Sequence, residues 1–280
     1  MKYTIKRKSK KIVIALTVLS VLLLCLSFLQ TYWAHRRERF QPAYIKQTLT
    51  EETDYKTFFL QTGLGKPAVD ALVEADGFET IFEIQDRFFK EPQVTCKPTF
   101  GWFTKSDRIE KNNAPSFVDL QPGDIILTLS THSCGWRHGH AGLVIDEDSV
   151  LECMTLGKMS AIAGIGHWSK YSTFAVLRVK GVSEELQKQV VSYAQEHLCK
   201  VAYHLSAGFL GEKAPAPDVP QFGLQCAYLV WYAWQVFGYD LDSDGGRLVT
   251  PSDLLRSDLL EVVQIYGINP EEFCGEQVEK

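Results

Sequence analysis

Cys226 lies near the start of a long apolar run, residues 224–234, whose composition is that of a buried helix. Three prolines at positions 215, 217 and 220 forbid a helix upstream, and Gly223 precedes the run, so the helix is predicted to begin close to Cys226. A thiol in the first helical turn meets unpaired N–H groups and the positive end of the helix dipole, and both favour the thiolate. This placement predicts a nucleophile. The alternative is a packing cysteine, the usual fate of a free thiol.

His140 would supply the acid–base chemistry that a thiolate nucleophile needs. It lies in the predicted strand 139–145, between small residues that leave its ring accessible. If residues 146–149 form a hairpin turn, equal offsets from a centre near residue 146 pair His140 with Glu152. A carboxylate there would fix the tautomer of the imidazole and stabilise the imidazolium. The alternative for Glu152 is an exposed strand position.

Four other residues are predicted to contact the substrate, because they lie close in the sequence to Cys226 or His140 or in a loop that follows the strands of the site. They are Gln225, His138, His167 and Trp168. Gln225 adjoins the nucleophile and is also a possible second donor to an oxyanion, although its side chain could equally point away.

Two groups of residues suggest metal sites, and we reject both on their spacing. His132, Cys134 and His138 lack a fourth ligand at a suitable distance along the chain. The run Asp240-x-Asp242-x-Asp244 begins like a calcium loop, but its twelfth position is a proline instead of the bidentate glutamate. We therefore expect no metal and no cofactor.

Composition and charge exclude some classes of function. The chain has 280 residues, a net charge of −5 and no run of basic residues interleaved with aromatics after residue 40, which argues against a nucleic-acid partner. Its seven cysteines show no Cys-x-x-Cys spacing, so neither a zinc pair nor a redox pair is indicated. We expect few or no disulfides.

Four regions follow one another along the chain. Residues 1–11 form a basic tail, and residues 12–33 form an uncharged run long enough for a membrane span of about 30 Å. The charge bias places the N-terminus in the cytoplasm and the rest of the chain outside. Residues 34–118 are predicted to be a helical arm and a loop-rich connector, and residues 119–280 an α+β domain with an antiparallel sheet.

Five short motifs within this last region carry a resemblance to a known family. They are Gly123-Asp124-Ile-Ile-Leu, Gly139-His140-Ala-Gly-Leu-Val, Glu152, Gln225-Cys226-Ala-x-Leu-Val-Trp231 and Val249-Thr-Pro251-x-Asp253-Leu. Their order resembles the circularly permuted papain-like amidases of the YaeF/YiiX type, which are related to NlpC-type cell-wall peptidases and to lecithin retinol acyltransferase. The resemblance covers about residues 120–266. It implies a permuted papain-like (NlpC-like) fold, with Cys226 as nucleophile, His140 as general base and acid, and Glu152 orienting the histidine.

The function expected from these observations is a membrane-anchored, extracytoplasmic cysteine amidase or peptidase that acts through a thioester. Its substrate would be a peptide, a cell-wall peptide or a lipid amide, and its only other partner the membrane. Two alternatives remain open. One is a thioester-based acyltransferase or lipid amidase, and the other is a non-catalytic binding module of the cell surface.

Overall fold

The structure, a computed structural model, describes residues 2–35, 40–100, 104–110, 113–133, 136–207, 213 and 223–273. Its first element is helix α1 (Lys2–His35), which includes the run predicted to cross a membrane. Among the described residues, no helix is both long enough and apolar enough for a membrane span. The predicted membrane anchor is therefore without support. Most of the proline-rich segment upstream of Cys226, as well as Cys134, falls outside the described residues.

The predicted helical arm consists of three short helices, α2 (Tyr55–Thr62), α3 (Lys66–Glu74) and α4 (Phe78–Phe89). Asp54 caps α2 through the N–H of Thr57, and Gly63 ends that helix in the left-handed conformation. Gly65 lies so close to the last strand of the domain that an added Cβ would be 1.7 Å from the carbonyl oxygen of Val262. The arm is therefore packed against the domain.

A six-stranded antiparallel sheet forms the centre of the domain. Its strands are β3 (Ile125–Thr128), β6 (His140–Asp146), β7 (Ser149–Glu152), β8 (Ala161–Gly164), β9 (Phe174–Val179) and β10 (Leu260–Tyr266), in the spatial order β10-β9-β3-β6-β7-β8. β3 and β9 are buried along their whole length because helices cover both faces of the sheet. This agrees with the predicted α+β class and antiparallel pairing.

Three α-helices follow β9 within the described part of the chain. α5 (Glu184–Tyr193) precedes α6 (Cys226–Gln235), and α7 (Pro251–Leu255) begins with a capping box between Thr250 and Asp253. Nine of the ten residues of α6 are buried, and the helix packs on β6. This explains why the α6 sequence is apolar on all sides.

A second, smaller sheet corrects the prediction of a loop-rich connector and extends into the predicted domain. β1 (Thr95–Phe100), β2 (Thr104–Arg108), β4 (Thr131–Ser133) and β5 (Trp136–Arg137) pair in the order β1-β2-β4-β5. Pro98 lies in the edge strand β1, where a missing N–H is tolerated. The sheet pairs β2, from the predicted connector, with β4, from the predicted domain.

Asp124, in the first of the five motifs, forms a buried ion pair with Arg178. Its buried carboxylate accepts hydrogen bonds from Arg178 Nε and Nη2, each at 2.8 Å, and from the N–H of Gln121 at 2.9 Å. Arg178 also pairs with Asp119. These bonds tie the turn before β3 to the neighbouring strand β9.

Candidate active site

The first turn of α6 holds the Cys226 thiol. Gln225 is the N-cap of the helix, since its side-chain oxygen accepts a hydrogen bond of 3.2 Å from the N–H of Ala227. The thiol donates to the same oxygen, with 3.5 Å between Sγ and Oε1. The Gln225 Nε2 donates to the carbonyl of Val249. The Gln225 carboxamide is thus engaged with the helix start and with the residue before the α7 cap.

His140, the first residue of β6, forms a hydrogen bond with Cys226. Burial acts to raise the pKa of Cys226, but the hydrogen bond and charge of His140, with the N–H groups of Ala141 and Ala227, outweigh it and lower the pKa below 9.0. Burial likewise acts to lower the pKa of His140, but the hydrogen bonds to Cys226 and Glu152 raise this pKa well above 6.5. The pair therefore favours a thiolate and an imidazolium.

Glu152 is the hydrogen-bond partner on the other side of His140. Its Oε2 lies 2.9 Å from His140 Nε2, and both side chains are almost fully buried. Burial acts to raise the pKa of Glu152, but the hydrogen bond with His140 and the proximity of His167 outweigh it and lower this pKa to about 2. The carboxylate is therefore charged at neutral pH and stabilises the imidazolium.

The register between β6 and β7 differs from the predicted one. Glu152 lies opposite Gly142, and His140 lies opposite Thr128 on the other side, in β3. The prediction was wrong because it centred the hairpin at residue 146, whereas Asp146 pairs with Ser149 and the turn is residues 147–148. A register shift between Val144 and Asp146 leaves one extra residue in β6 and sets the pairing of Glu152 with Gly142. The Glu152 carboxylate reaches diagonally across the two strands to His140, two residues from Gly142, over a distance that long side chains span.

Trp168 and His167 lie next to His140 and Glu152, in a turn of 3-10 helix at 165–170. The buried indole of Trp168 stacks on the His140 ring, with 5.1 Å between centroids and 9° between planes. His167 Nε2 lies 3.4 Å from Glu152 Oε2. The structure therefore places both residues around His140 and Glu152, whereas the sequence suggested that they contact the substrate.

A cavity of about 400 Å³ opens beside the Cys226 thiol. Gln225 and His138 line it, and His138 Nε2 is 3.0 Å from the hydroxyl of Ser133. Most of the other lining side chains are apolar: Trp136, Met154, Leu156, Leu205, Leu248, Val249 and Pro251. Trp136, Leu156 and Leu205 are 59–63% exposed, so they form an apolar rim at the cavity mouth.

A smaller cavity of about 30 Å³ lies between His140 and Cys226. Thr131 and Tyr171 line it, and the buried hydroxyl of each has no hydrogen-bond partner among the described residues. The guanidinium of Arg108 stacks over the Tyr171 ring at 3.6 Å. The volume is enough for a single water or for one oxygen of a substrate. Sequence reasoning missed both hydroxyls because they approach the thiol from β4 and from the turn before β9.

Cys153 is a second buried thiol, and it lies after a strand instead of at a helix start. It follows β7 and is fully buried, and its thiol donates to the carbonyl of Leu224 at 3.6 Å. Burial, with the negative charges of Cys226 and Glu152, raises the pKa of Cys153 to about 12. The five cysteines within the described residues are free thiols. Among those with a resolved pKa shift, only Cys226 is lowered.

Comparisons with known proteins return little similarity. No family profile matches the chain. No curated protein matches it either. Among solved structures, it is similar to the metalloprotein YiiX from Escherichia coli O157:H7, with 18% identity and a TM-score of 0.37, over 51% of this chain and 96% of that one. At this level the similarity assigns neither a family nor an activity, so the relation to the YaeF/YiiX-type amidases remains a prediction.

Proposed function

We propose that this protein is a cysteine hydrolase that cleaves an acyl bond, an amide in the first instance, through a thioester intermediate. One observation supports this most directly. The Cys226 thiol at the start of α6 is hydrogen-bonded to an imidazole that is itself held by a buried carboxylate. A packing cysteine needs neither partner, and a binding module has no use for a charged pair buried beneath a cleft.

The proposed reaction has two stages. The Cys226 thiolate attacks the acyl carbon, an S–C bond forms, and His140 gives its proton to the leaving nitrogen as the C–N bond breaks. Water then attacks the thioester, His140 takes a proton from it, and the S–C bond breaks to release the acid. Glu152 keeps the imidazole oriented and balances its charge at both stages.

The oxyanion of each tetrahedral intermediate needs donors next to the sulfur. The backbone N–H of Cys226 is a first-turn donor of α6, which has no acceptor within the helix. We assign the second donor to the Tyr171 hydroxyl, because Tyr171 lines the small cavity that Cys226 and His140 also line, and its hydroxyl has no other partner among the described residues. Gln225 is less suited to this role, since its carboxamide is held by Ala227 and Val249.

The apolar cavity favours a second candidate function within the same chemistry. The side chains that line it next to the thiol are mostly apolar, and its rim exposes Trp136, Leu156 and Leu205. Such a surface fits a hydrocarbon chain better than a charged peptide. A lipid amidase or an acyltransferase that passes the acyl group to an alcohol or amine would use the same thioester.

The test is to trap the thioester. The purified protein is incubated with short peptide amides, cell-wall peptides, and lipid amides or esters, quenched in acid, and the mass of the intact chain is measured. An acyl adduct on Cys226 that is absent from Cys226→Ala supports the proposal, and the adduct mass identifies the acyl donor. Release of free acid from the adduct indicates hydrolysis, and transfer to an added alcohol indicates acyl transfer. Absence of turnover and adduct with all four substrate classes would contradict the proposal.

A further inference from the structure

Cys96, Asp107 and His132 converge on one face of the smaller sheet, away from the Cys226 site. Cys96 on β1 lies directly opposite Asp107 on β2, and His132 on β4 lies opposite Lys105, two residues from Asp107. Their three ligand-type atoms lie within 4.8 Å of one another. Three neighbouring strands thus bring a thiol, a carboxylate and an imidazole to one point.

The distances in this cluster fit shared coordination better than hydrogen bonding. His132 Nε2 lies 3.8 Å from Cys96 Sγ and 3.6 Å from Asp107 Oδ1. The second distance is too long for a hydrogen bond. A tetrahedral zinc with Zn–S of about 2.3 Å and Zn–N of about 2.0–2.1 Å separates its S and N ligands by about 3.6 Å and its N and O ligands by about 3.4 Å. The observed spacings exceed these values by only 0.2 Å.

His132 is the residue that most needs an additional partner. Its side chain is fully buried, and its Nδ1 has no hydrogen-bond partner among the described residues. Among the described residues, its Nε2 faces the atoms of Cys96 and Asp107, at 3.8 and 3.6 Å. A buried imidazole without a full-strength hydrogen bond at either nitrogen is costly. A metal would give Nε2 a strong partner and leave the ring proton on Nδ1.

From this geometry we propose that Cys96, Asp107 and His132 bind a zinc ion, with water as the fourth ligand. Cys96 releases its proton to solvent as the S–Zn bond forms. Arg137 supports the site because its Nη2 holds the other carboxylate oxygen of Asp107 at 3.0 Å, which orients that ligand. The thiol and the imidazole favour zinc over a hard cation such as Ca²⁺ or Mg²⁺, which prefers oxygen ligands.

The proposed zinc would link β1, β2 and β4 into one unit. Three residues of this sheet, Thr104 on β2, Ser133 on β4 and Trp136 on β5, line the cavity beside Cys226. The metal would therefore stabilise one wall of that cavity without touching the reacting atoms. Sequence spacing did not reveal the ligands because each is on a different strand, with 10 residues between Cys96 and Asp107 and 24 between Asp107 and His132.

The test uses Co²⁺, which reports its ligands by absorption and substitutes for zinc. The full chain carrying Cys226→Ala is titrated with Co²⁺, so that the active-site thiolate cannot bind the metal. We expect one equivalent to bind with a thiolate-to-cobalt charge-transfer band and the intense visible bands of a tetrahedral site, both abolished by added zinc. Cys96→Ser in the same background should remove the charge-transfer band. Cys199→Ser, at another partly buried free thiol, should not.

Two further measurements keep the test independent of folding defects. Arg137→Gln should retain the band but weaken metal affinity about 10–100-fold, as expected for the loss of a residue that orients a ligand. X-ray absorption of the zinc-loaded Cys226→Ala chain should show one sulfur among nitrogen and oxygen ligands. No charge-transfer band, a band that persists in Cys96→Ser, or a zinc spectrum without sulfur would overturn the proposal.

Discussion

Glu152 lies opposite Gly142 on the neighbouring strand, and its carboxylate reaches diagonally to His140, with Oε2 2.9 Å from Nε2. The diagonal is open because Gly142 has no side chain. An added Cβ would be 2.4 Å from Cγ1 of Val150 and 3.3 Å from Cζ2 of Trp168. The imidazole is therefore held by Glu152 at one nitrogen, by Cys226 on the other side, and by the Trp168 indole on its face.

Glu152→Gln should lower turnover by up to about 10⁴-fold while leaving the protein folded, because the amide no longer fixes the tautomer or balances the imidazolium. The measurement is the rate of acyl release, alongside circular dichroism to check the fold. The pH–rate profile should also shift, since the variant lacks the charge that raises the pKa of His140. Unchanged turnover with an unchanged profile would make Glu152 a purely structural strand residue.

Cys226 should alkylate rapidly at pH 6, where an ordinary thiol is protonated. The lowered pKa of Cys226 keeps the thiolate populated as pH falls, until pH passes below that pKa. His140→Ala removes the imidazolium, so labelling at pH 6 should drop sharply while the contribution of the helix start remains. The rates are measured for each cysteine by mass spectrometry with iodoacetamide.

Cys153 is the internal control for this experiment. It is buried, and its pKa is raised to about 12, so it should stay unlabelled at pH 6 in both proteins. Slow labelling of Cys226 that does not depend on His140 would leave it a packing cysteine and would remove the proposed function with it.

Gly142→Ala should lower both stability and turnover. The added methyl group meets Val150 and Trp168 in a closely packed layer, and overpacking of this kind costs about 1–3 kcal/mol in the free energy of unfolding. Because Trp168 stacks on His140, its displacement should also misplace the imidazole. Urea unfolding and turnover are compared with Gly164→Ala, where φ is −66° and the nearest atom to an added Cβ is the carbonyl oxygen of Asp148 at 3.9 Å. Equal turnover for Gly142→Ala and wild type would show that the stacking does not position His140.

Tyr171→Phe should lower turnover by about 10²–10³-fold, the usual loss for one oxyanion donor. The hydroxyl has no partner among the described residues, so its removal should cost little stability. The alkylation rate of Cys226 should stay near that of wild type, since Tyr171 acts on the oxyanion and not on the thiol. A loss of alkylation equal to the loss of turnover would instead assign Tyr171 to the His140–Cys226 pair.

Much of the local structure could be read from the sequence. The apolar run after Gly223 marks the start of α6, because the backbone limits of proline and glycine act within one turn. The strand predicted at 139–145 is likewise observed as β6. The pairing of Cys226 with His140 was inferred from the chemistry a thiolate needs. The location of the protein in the cell remains a prediction.

The tertiary structure decided the relationships that depend on register and on strand order. The hairpin turn at residues 147–148 and the extra residue in β6 place Glu152 opposite Gly142, two residues from the predicted position opposite His140, and neither feature leaves a clear local signal in the sequence. β1, β2 and β4 are assembled by hydrogen bonds between distant segments, so Tyr171 beside the thiol and the cluster of Cys96, Asp107 and His132 emerge only in the folded chain. Propensity and spacing act within a few residues, whereas these neighbours are set by packing across tens of residues.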